Sequence, residues 1–192
     1  MLAQIILFIL DSVCGFLTLM LLTRFVLQIT HAPFRNPLGQ FVFAVTDWIV
    51  RPTRRLIPGL FGYDLASLLL AWLAQAIYLG IALGLSGSIS GALAAVSPAP
   101  TFMVATLAVF ETVKLGLYLM IGAVLVSAIF SWVNPYAPLA AVFNAVSQPL
   151  LRPLQRFIPP IGGVDLSPLA LLLLLQIGLM LLERLRLLAI MP

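Results

Sequence analysis

Long apolar segments alternate with short polar ones along this chain. Four of the apolar segments reach the roughly 20 residues that a helix needs to cross a bilayer core. They cover about residues 5–29, 65–85, 104–132 and 167–187. Two further segments, 37–50 and 138–151, are too short to cross, since 14 residues make a helix of only about 21 Å. The pattern predicts an all-α membrane protein with four transmembrane helices and two amphipathic interfacial helices.

The second half of the chain repeats the first at an offset of 101 residues. The matched positions are Arg51-Pro52 with Arg152-Pro153, Arg55 with Arg156, Pro58 with Pro159, Gly62 with Gly163, Asp64 with Asp165, and Gln75 with Gln176. Because rare charged residues and prolines carry the agreement, a shared hydrophobic bias does not explain it. We predict two parallel copies, 1–97 and 98–192, each consisting of a span, an interfacial segment and a second span. An even number of spans per copy places both interfacial segments on one membrane face.

Composition and charge agree with a membrane protein and exclude other classes. The chain is 62% hydrophobic and 8% charged, whereas a soluble domain is about 25% charged. Its net charge of +4 comes from scattered arginines, so we expect no direct nucleic-acid contact. One cysteine and one histidine exclude a disulfide framework and a histidine-rich metal site. We expect no cofactor and no catalytic residue.

The distribution of arginine indicates an orientation. Most arginines fall in the two interfacial loops, whereas the central loop has no charge. The loop arginines are Arg35, Arg51, Arg54, Arg55, Arg152 and Arg156. The positive-inside rule then places these loops in the cytoplasm and both termini outside. Arg184 and Arg186, near the end of the fourth span, count against this orientation.

The second copy contains a recognisable motif. Its members are Arg152, Pro153, Arg156, Pro159, Gly163, Asp165, Ser167 and Pro168, and Ser131-Trp132-Val133-Asn134-Pro135 precedes them. This segment closely resembles the signature of the YggT family. The first copy resembles a degraded form of it, which keeps Arg51, Arg55 and Asp64 but has Ala66-Ser67 where the family has Ser-Pro. The resemblance covers nearly the whole chain, since bacterial members carry two tandem copies.

The resemblance implies a small integral protein of the bacterial inner membrane with no agreed biochemical activity. Members of the family, including the YlmG group and plastid relatives, are linked to osmotic or ion stress, to division and nucleoid organisation, and to assembly of haem-bearing cytochrome b6. No catalytic residue can be carried over from the family, so the motif residues are named only as candidate contacts.

Two interpretations of the motif are open. Its arginines can bind a lipid headgroup, a phosphate or a partner's carboxylate, because a guanidinium binds such anions through two hydrogen bonds. Alternatively, Asp64 pairs with Arg55, and Asp165 with Arg156, and each pair pins an interfacial segment to the following span. The two interpretations overlap, since a pinned arginine at the headgroup level still meets anionic lipid.

Three charged residues are expected at a similar depth inside the membrane. The offset places Asp11 opposite Thr112, and therefore near Lys114 and Glu111. A charged side chain at a helix centre costs at least about 2.5–3.5 kcal/mol, so it usually has a partner. We predict an Asp11–Lys114 pair extended by Glu111. A proton or cation relay is the functional alternative.

Small residues at intervals of four mark one face of the second span. They are Ala76, Gly80, Gly84 and Ser88. Such a face lets another helix approach closely, and Gly80 and Gly84 lie at its centre. We predict close helix packing there, within the chain or between two chains.

Two classes of function fit the sequence. The first is a non-enzymatic factor that assembles, scaffolds or organises membrane components and is linked to osmotic stress or division. The second is an oligomeric protein that conducts an ion or solute. Either class implies membrane lipids, with anionic lipids among them, and other membrane proteins or further copies of the chain as partners.

Overall fold

A computed structural model describes residues 1–33, 36–56, 64–85, 99–158 and 165–190, and within these ranges the chain forms six helices and no strand. The helices are α1 (Leu2–Ile29), α2 (Pro37–Leu56), α3 (Leu65–Leu85), α4 (Ala99–Val133), α5 (Pro138–Phe157) and α6 (Ser167–Ile190). Four of them, α1, α3, α4 and α6, are long and apolar enough to cross a membrane. The predicted all-α fold with four such helices is confirmed.

The two shorter helices, α2 and α5, are amphipathic. On α2, Val42, Thr46 and Val50 follow each other at intervals of four residues and are buried, whereas Phe41 and Trp48 are exposed. Residues four apart lie on one helix face, so this face packs on the spans and the opposite face is free. On α5 the equivalents of Thr46 and Val50, Ser147 and Leu151, are buried, and Val142 and Val146 are buried beside them.

Both amphipathic helices are longer than predicted. We expected each to end at its Arg-Pro pair, but they continue through Pro52 and Pro153 to Leu56 and Phe157. A proline inside a helix removes one backbone hydrogen bond. Pro52 and Pro153 lie on exposed surface, where water or headgroups can satisfy the freed carbonyl, and the helix therefore continues. The spans extend beyond their predicted limits as well, since α1 begins at Leu2, α4 at Ala99, and α6 ends at Ile190.

The two copies pack their helices in the same way. Helix α1 contacts α2 and α3, and α4 contacts α5 and α6. One buried cluster in the first copy includes Val50 and Leu70. The second copy buries Leu151 and Leu171 against Val124, and the first two of these lie 101 residues after Val50 and Leu70. The sequence repeat is therefore also a repeat of side-chain packing.

A third cluster joins the copies and places both amphipathic helices at one end of the bundle. Leu27 and Ala32, at the end of α1, pack against Val142 and Val146 of α5. Because α2 follows the same end of α1, α2 and α5 lie on the same side, as the even number of spans predicts.

A carboxylate stabilises the start of each copy's second span. The Ser67 amide and hydroxyl donate to Asp64 at 3.4 and 2.6 Å. The Ser167 amide donates to Asp165 at 2.8 Å. An acidic side chain at a helix N-terminus satisfies a free amide and complements the helix dipole. The two aspartates therefore occupy equivalent structural positions, between the amphipathic helix and the span that follows it.

Candidate functional site

Arg24, near the end of α1, is the centre of a polar cluster in the first copy. Its side chain is only 3% exposed. Its Nη1 donates to Thr46 Oγ1 and to Asp47 Oδ1, both at 2.9 Å, and its Nε lies 3.4 Å from Asp64 Oδ2. The guanidinium carbon is 4.4 Å from the centre of the Phe43 ring, a cation–π distance. One side chain therefore connects α1, α2 and the start of α3.

Two further arginines of α2 complete this cluster. Arg54 binds Asp64 through two hydrogen bonds, Nη2 to Oδ2 at 2.5 Å and Nε to Oδ1 at 3.2 Å. Arg51 pairs with Asp47 at 2.6 Å and is 79% exposed. A buried charge is tolerated only when opposite charges and hydrogen bonds compensate its desolvation. Three arginines and two carboxylates meet that requirement here.

The arginines keep both carboxylates ionised. Desolvation opposes ionisation of Asp64, but the hydrogen bonds from Arg54 and Ser67 and the charge of Arg24 outweigh it, so its pKa lies below the usual range. Desolvation likewise opposes ionisation of Asp47, and the stronger influence of Arg24 and Arg51 lowers its pKa. Neither group is suited to act as a general acid near neutral pH.

The second copy has the same framework with fewer charges. Leu125 occupies the position of Arg24, and Gln148 that of Asp47. Asp165 accepts a hydrogen bond from Gln155, at the position of Arg54, at 2.8 Å. Arg152 donates to Gln148 at 3.2 Å. Within the described ranges, this copy therefore replaces the ion pairs of the first by hydrogen bonds between one charged and one neutral side chain.

The predicted Asp64–Arg55 and Asp165–Arg156 pairs are wrong. The partner is in each case the preceding residue, Arg54 or Gln155. Because the amphipathic helices continue past their prolines, neighbouring side chains there differ in direction by about 100°. All four side chains are exposed, but only Arg54 and Gln155 reach the aspartate at the start of the following span among the contacts of the described residues.

The motif therefore divides into exposed and internal residues. Exposed residues of the motif are Arg51, Arg55, Arg152, Pro153, Arg156 and Asp165, whereas Asp64 and Ser167 are buried and Pro168 is half-buried. Pro159, Gly163 and Arg35 lie outside the described residues. The exposed arginines are on the side of the bundle that carries α2 and α5, and they are free to meet lipid or a partner.

The predicted Asp11–Lys114 pair is also wrong, since the described residues contain no ion pair between them. Lys114 pairs with Glu111 at 3.6 Å, and Glu111 with Arg186 of α6 at 2.9 Å. Asp11 instead accepts a hydrogen bond from the Tyr78 hydroxyl of α3. Lys114 is one helix turn from Glu111 and pairs with it, so similar depth does not produce contact between Lys114 and Asp11.

The small-residue face of α3 is not a close helix contact in the described part of the chain. A β-carbon added at Gly80 or Gly84 would have no heavy atom within 4 Å outside the adjacent backbone. The prediction of close packing within the chain is therefore wrong at these two glycines. Ser88, the last residue of that face, lies outside the described ranges.

Sequence reasoning missed the central residue of the cluster. Arg24 was not among the residues predicted to form a site, and Arg186 was considered only as evidence on orientation. A charged residue within an apolar span usually has a specific partner, and this signal could have identified Arg24. The partners themselves are distant in sequence, since Asp47 and Asp64 lie 23 and 40 positions away.

A family model and the similar known proteins indicate the same family for this chain. A model of the CCB3/YggT family matches residues 3–85 and 106–187, one segment in each copy. An uncharacterized protein of Pseudomonas aeruginosa is 36% identical over 174 residues, which cover 88% of this chain and 84% of that protein. Uncharacterized protein YggT of Escherichia coli K12 is 36% identical over 172 residues, which cover 88% and 85%. An uncharacterized protein of Haemophilus influenzae is 29% identical over 177 residues, which cover 91% and 88%. No solved structure matches this chain.

Replacing Arg24 by leucine should destabilise the protein strongly. The change leaves the Asp47 and Asp64 carboxylates without their buried cation, and loss of one member of a buried ion pair typically costs about 3–5 kcal/mol. Equilibrium unfolding in mixed micelles measures this loss. Arg55→Leu, which removes an exposed guanidinium from the same region, is the matched control and should change stability little.

A triple variant tests the same explanation independently. Arg24→Leu, Asp47→Gln and Arg54→Gln together reproduce the residues of the second copy, and we expect this combination to be more stable than Arg24→Leu alone. An Arg24→Leu protein as stable as Arg55→Leu would contradict a central role of Arg24.

Acidification should destabilise the first copy through Asp64. Its folded pKa is lowered relative to an unfolded value of about 3.9, so its contribution is complete above that pH and is lost as the pH falls through the folded pKa. We expect the thermal midpoint in detergent to fall below about pH 4. Asp64→Asn should lower the midpoint at pH 7 and flatten its acid dependence, while Glu183→Gln should leave the profile unchanged. Identical acid profiles of wild type and Asp64→Asn would contradict this assignment.

Proposed function

Because this chain belongs to the CCB3/YggT family, we propose that it is a non-enzymatic, multi-pass protein of the bacterial inner membrane that organises or helps to assemble other membrane components. The proposal includes a link to osmotic stress or division, which the resemblance to the family implies. The supporting observation is the rigid attachment of two amphipathic helices to one side of a membrane-spanning bundle.

This attachment produces a defined surface. Helix α2 is held by the buried side chain of Arg24, and α5 by the apolar cluster that includes Val142 and Val146. Both helices expose arginines on the same side of the bundle. We name the surface formed by Arg51, Arg55, Arg152 and Arg156 the arginine platform. A fixed set of guanidinium groups at headgroup level can bind anionic lipid and the carboxylates of partner proteins.

The charge distribution supports a cytoplasmic arginine platform and termini on the outside. Positive residues near the ends of spans favour the cytoplasmic side. The chemistry of the cluster supports a non-enzymatic role, since Asp47 and Asp64 are held ionised by arginines that also connect helices. Their environment favours structural ion pairs over proton transfer.

The double variant Arg152→Gln and Arg156→Gln tests the platform. Both side chains are exposed, so we expect normal abundance of the protein in the membrane but less co-purified anionic lipid, measured by native mass spectrometry. We also expect the variant to restore growth under osmotic upshift less well than wild type in a strain that lacks the protein. Arg184→Gln, an exposed arginine at the other end of α6, is the control.

Two outcomes would contradict the proposal. Unchanged anionic lipid together with full complementation would leave the platform without a role. A closed oligomer with ion flux, and no stoichiometric partner after crosslinking of wild type, would favour conduction over assembly.

A second candidate function, conduction of protons or cations, is favoured by one specific observation. Polar pairs occur at three levels between α1 and α3. Asp64 lies 3.4 Å from Arg24 near one end, the Gln75 amide donates to Thr18 at 3.0 Å in the middle, and Tyr78 binds Asp11 near the other end. Such polar residues inside a bundle often mark ion or proton pathways.

Gln75→Leu distinguishes this candidate from assembly. Gln75 is buried against Thr18, and an apolar side chain there interrupts the series of polar pairs. If the pairs carry protons, dye-detected proton flux into proteoliposomes should fall to the level of empty liposomes. Gln176→Leu, the equivalent but exposed position of the second copy, is the control and should retain flux. Absence of flux with wild type rules out proton conduction by this chain.

A further inference from the structure

The second copy keeps a carboxylate whose cationic partners have been replaced. Asp165 occupies the position that Asp64 has in the first copy, where two arginines lie 2.5 and 3.4 Å from the carboxylate. The corresponding positions of the second copy hold Leu125 and Gln155, which are uncharged. Among the described residues, no cationic side chain pairs with Asp165. The negative charge of this group is therefore uncompensated within the described chain.

The hydrogen bonds of Asp165 stabilise its charged form. One oxygen accepts from the Ser167 amide at 2.8 Å and the other from Gln155 Nε2 at 2.8 Å. Partial desolvation opposes ionisation, but these hydrogen bonds outweigh it and the pKa of Asp165 lies below its usual range. Both donors are neutral, and each carboxylate oxygen can accept a further bond. The group can therefore bind a cation without losing its present contacts.

One buried hydroxyl group of the second copy also lacks a partner among the described residues. Ser147 is at the position of Thr46, which accepts a hydrogen bond from the buried arginine of the first copy. The Ser147 hydroxyl is buried and has no hydrogen-bond partner in the described ranges. The second copy thus retains an acceptor group of the first copy's guanidinium site, while leucine replaces the arginine.

A cavity of about 500 Å³ lies beside Asp165, between α4 and α6. Its walls include Leu125, Ile129, Trp132 and Leu169. The last three are more than half exposed, so the cavity opens on the outer surface of two membrane-spanning helices, which lipid surrounds. Trp132 lies at the end of α4, and tryptophan at such a position is typical of the headgroup level.

We propose that this cavity binds a membrane lipid with a primary ammonium headgroup, such as phosphatidylethanolamine. The ammonium group donates to the Asp165 carboxylate and supplies the positive charge that Arg24 and Arg54 supply to the equivalent aspartate. The apolar part of the lipid packs against Leu169 and Trp132.

A lipid fits the cavity better than a cationic side chain of a partner protein. Its lining combines one carboxylate with mainly apolar walls, and within the described part the other polar side-chain atoms are the Ser131 hydroxyl and the Trp132 indole nitrogen. A peptide would bring backbone amides and carbonyls, which need partners that such walls do not provide. A lipid has one charged end and hydrocarbon chains, and this arrangement matches a cavity that has one carboxylate and otherwise mainly apolar walls.

Binding of ammonium and quaternary lipids to the full-length chain tests the proposal. Purified protein in detergent is titrated with phosphatidylethanolamine and with phosphatidylcholine of the same acyl chains, and bound lipid is counted by native mass spectrometry. We expect wild type to prefer phosphatidylethanolamine by about tenfold, since only its ammonium donates hydrogen bonds to the carboxylate. Asp165→Asn should abolish the preference, and Glu183→Gln, a carboxylate at the other end of α6, should retain it.

Leu125→Arg provides a second test that does not depend on losing the carboxylate. This change restores the arginine of the first copy, whose guanidinium should occupy the place of the ammonium group. We expect loss of the lipid preference together with a higher thermal midpoint.

Three results would overturn the proposal. Equal binding of the two lipids by wild type is one, and a preference that survives Asp165→Asn and Leu125→Arg is another. The third is a preference lost in Arg152→Gln/Arg156→Gln but kept in Asp165→Asn, which would assign the lipid contact to the arginine platform instead. Failure of the platform test alone leaves this site intact, because Asp165 and the cavity walls are unchanged in that double variant.

Discussion

The buried guanidinium of Arg24 is the interaction on which the arrangement of the first copy depends. A positive charge removed from water inside a helix bundle requires fixed negative charges and hydrogen-bond acceptors around it. Asp47 of α2 and Asp64 at the start of α3 supply the charges, and Thr46 supplies an acceptor. Because these groups belong to separate elements, compensation of one charge also sets the position of the amphipathic helix relative to the spans. The arginine platform depends on this attachment.

The second copy reaches a similar arrangement with a different balance of forces. Apolar packing of α5 on α4 and on the end of α1 replaces the buried ion pairs. Replacement of an internal ion pair by apolar residues is often neutral for stability. It has a local consequence here, since Asp165 keeps its place at the start of α6 without an arginine. The copies thus share a fold but differ in the chemistry that they present to the membrane.

Much of the fold could be predicted from the sequence because the deciding signals are local. The length of apolar segments indicates spans, a four-residue interval indicates the amphipathic helices, and the 101-residue offset indicates parallel copies. The ends of α2 and α5 were mispredicted at Pro52 and Pro153, since the cost of a proline depends on whether the freed carbonyl is exposed. Exposure is a property of the folded chain and is not visible in the local pattern.

The sequence by itself determined the number of helices long and apolar enough to span a membrane and the equivalence of Asp64 and Asp165. Only the tertiary structure decided which charges meet. Arg54 rather than Arg55 binds Asp64, and Lys114 pairs with Glu111 rather than Asp11. The physical reason is that sequence position sets height along a helix at about 1.5 Å per residue, whereas each residue also turns the side chain by about 100°. That direction selects a partner only after the packing of neighbouring helices has fixed the rotation of each helix about its axis.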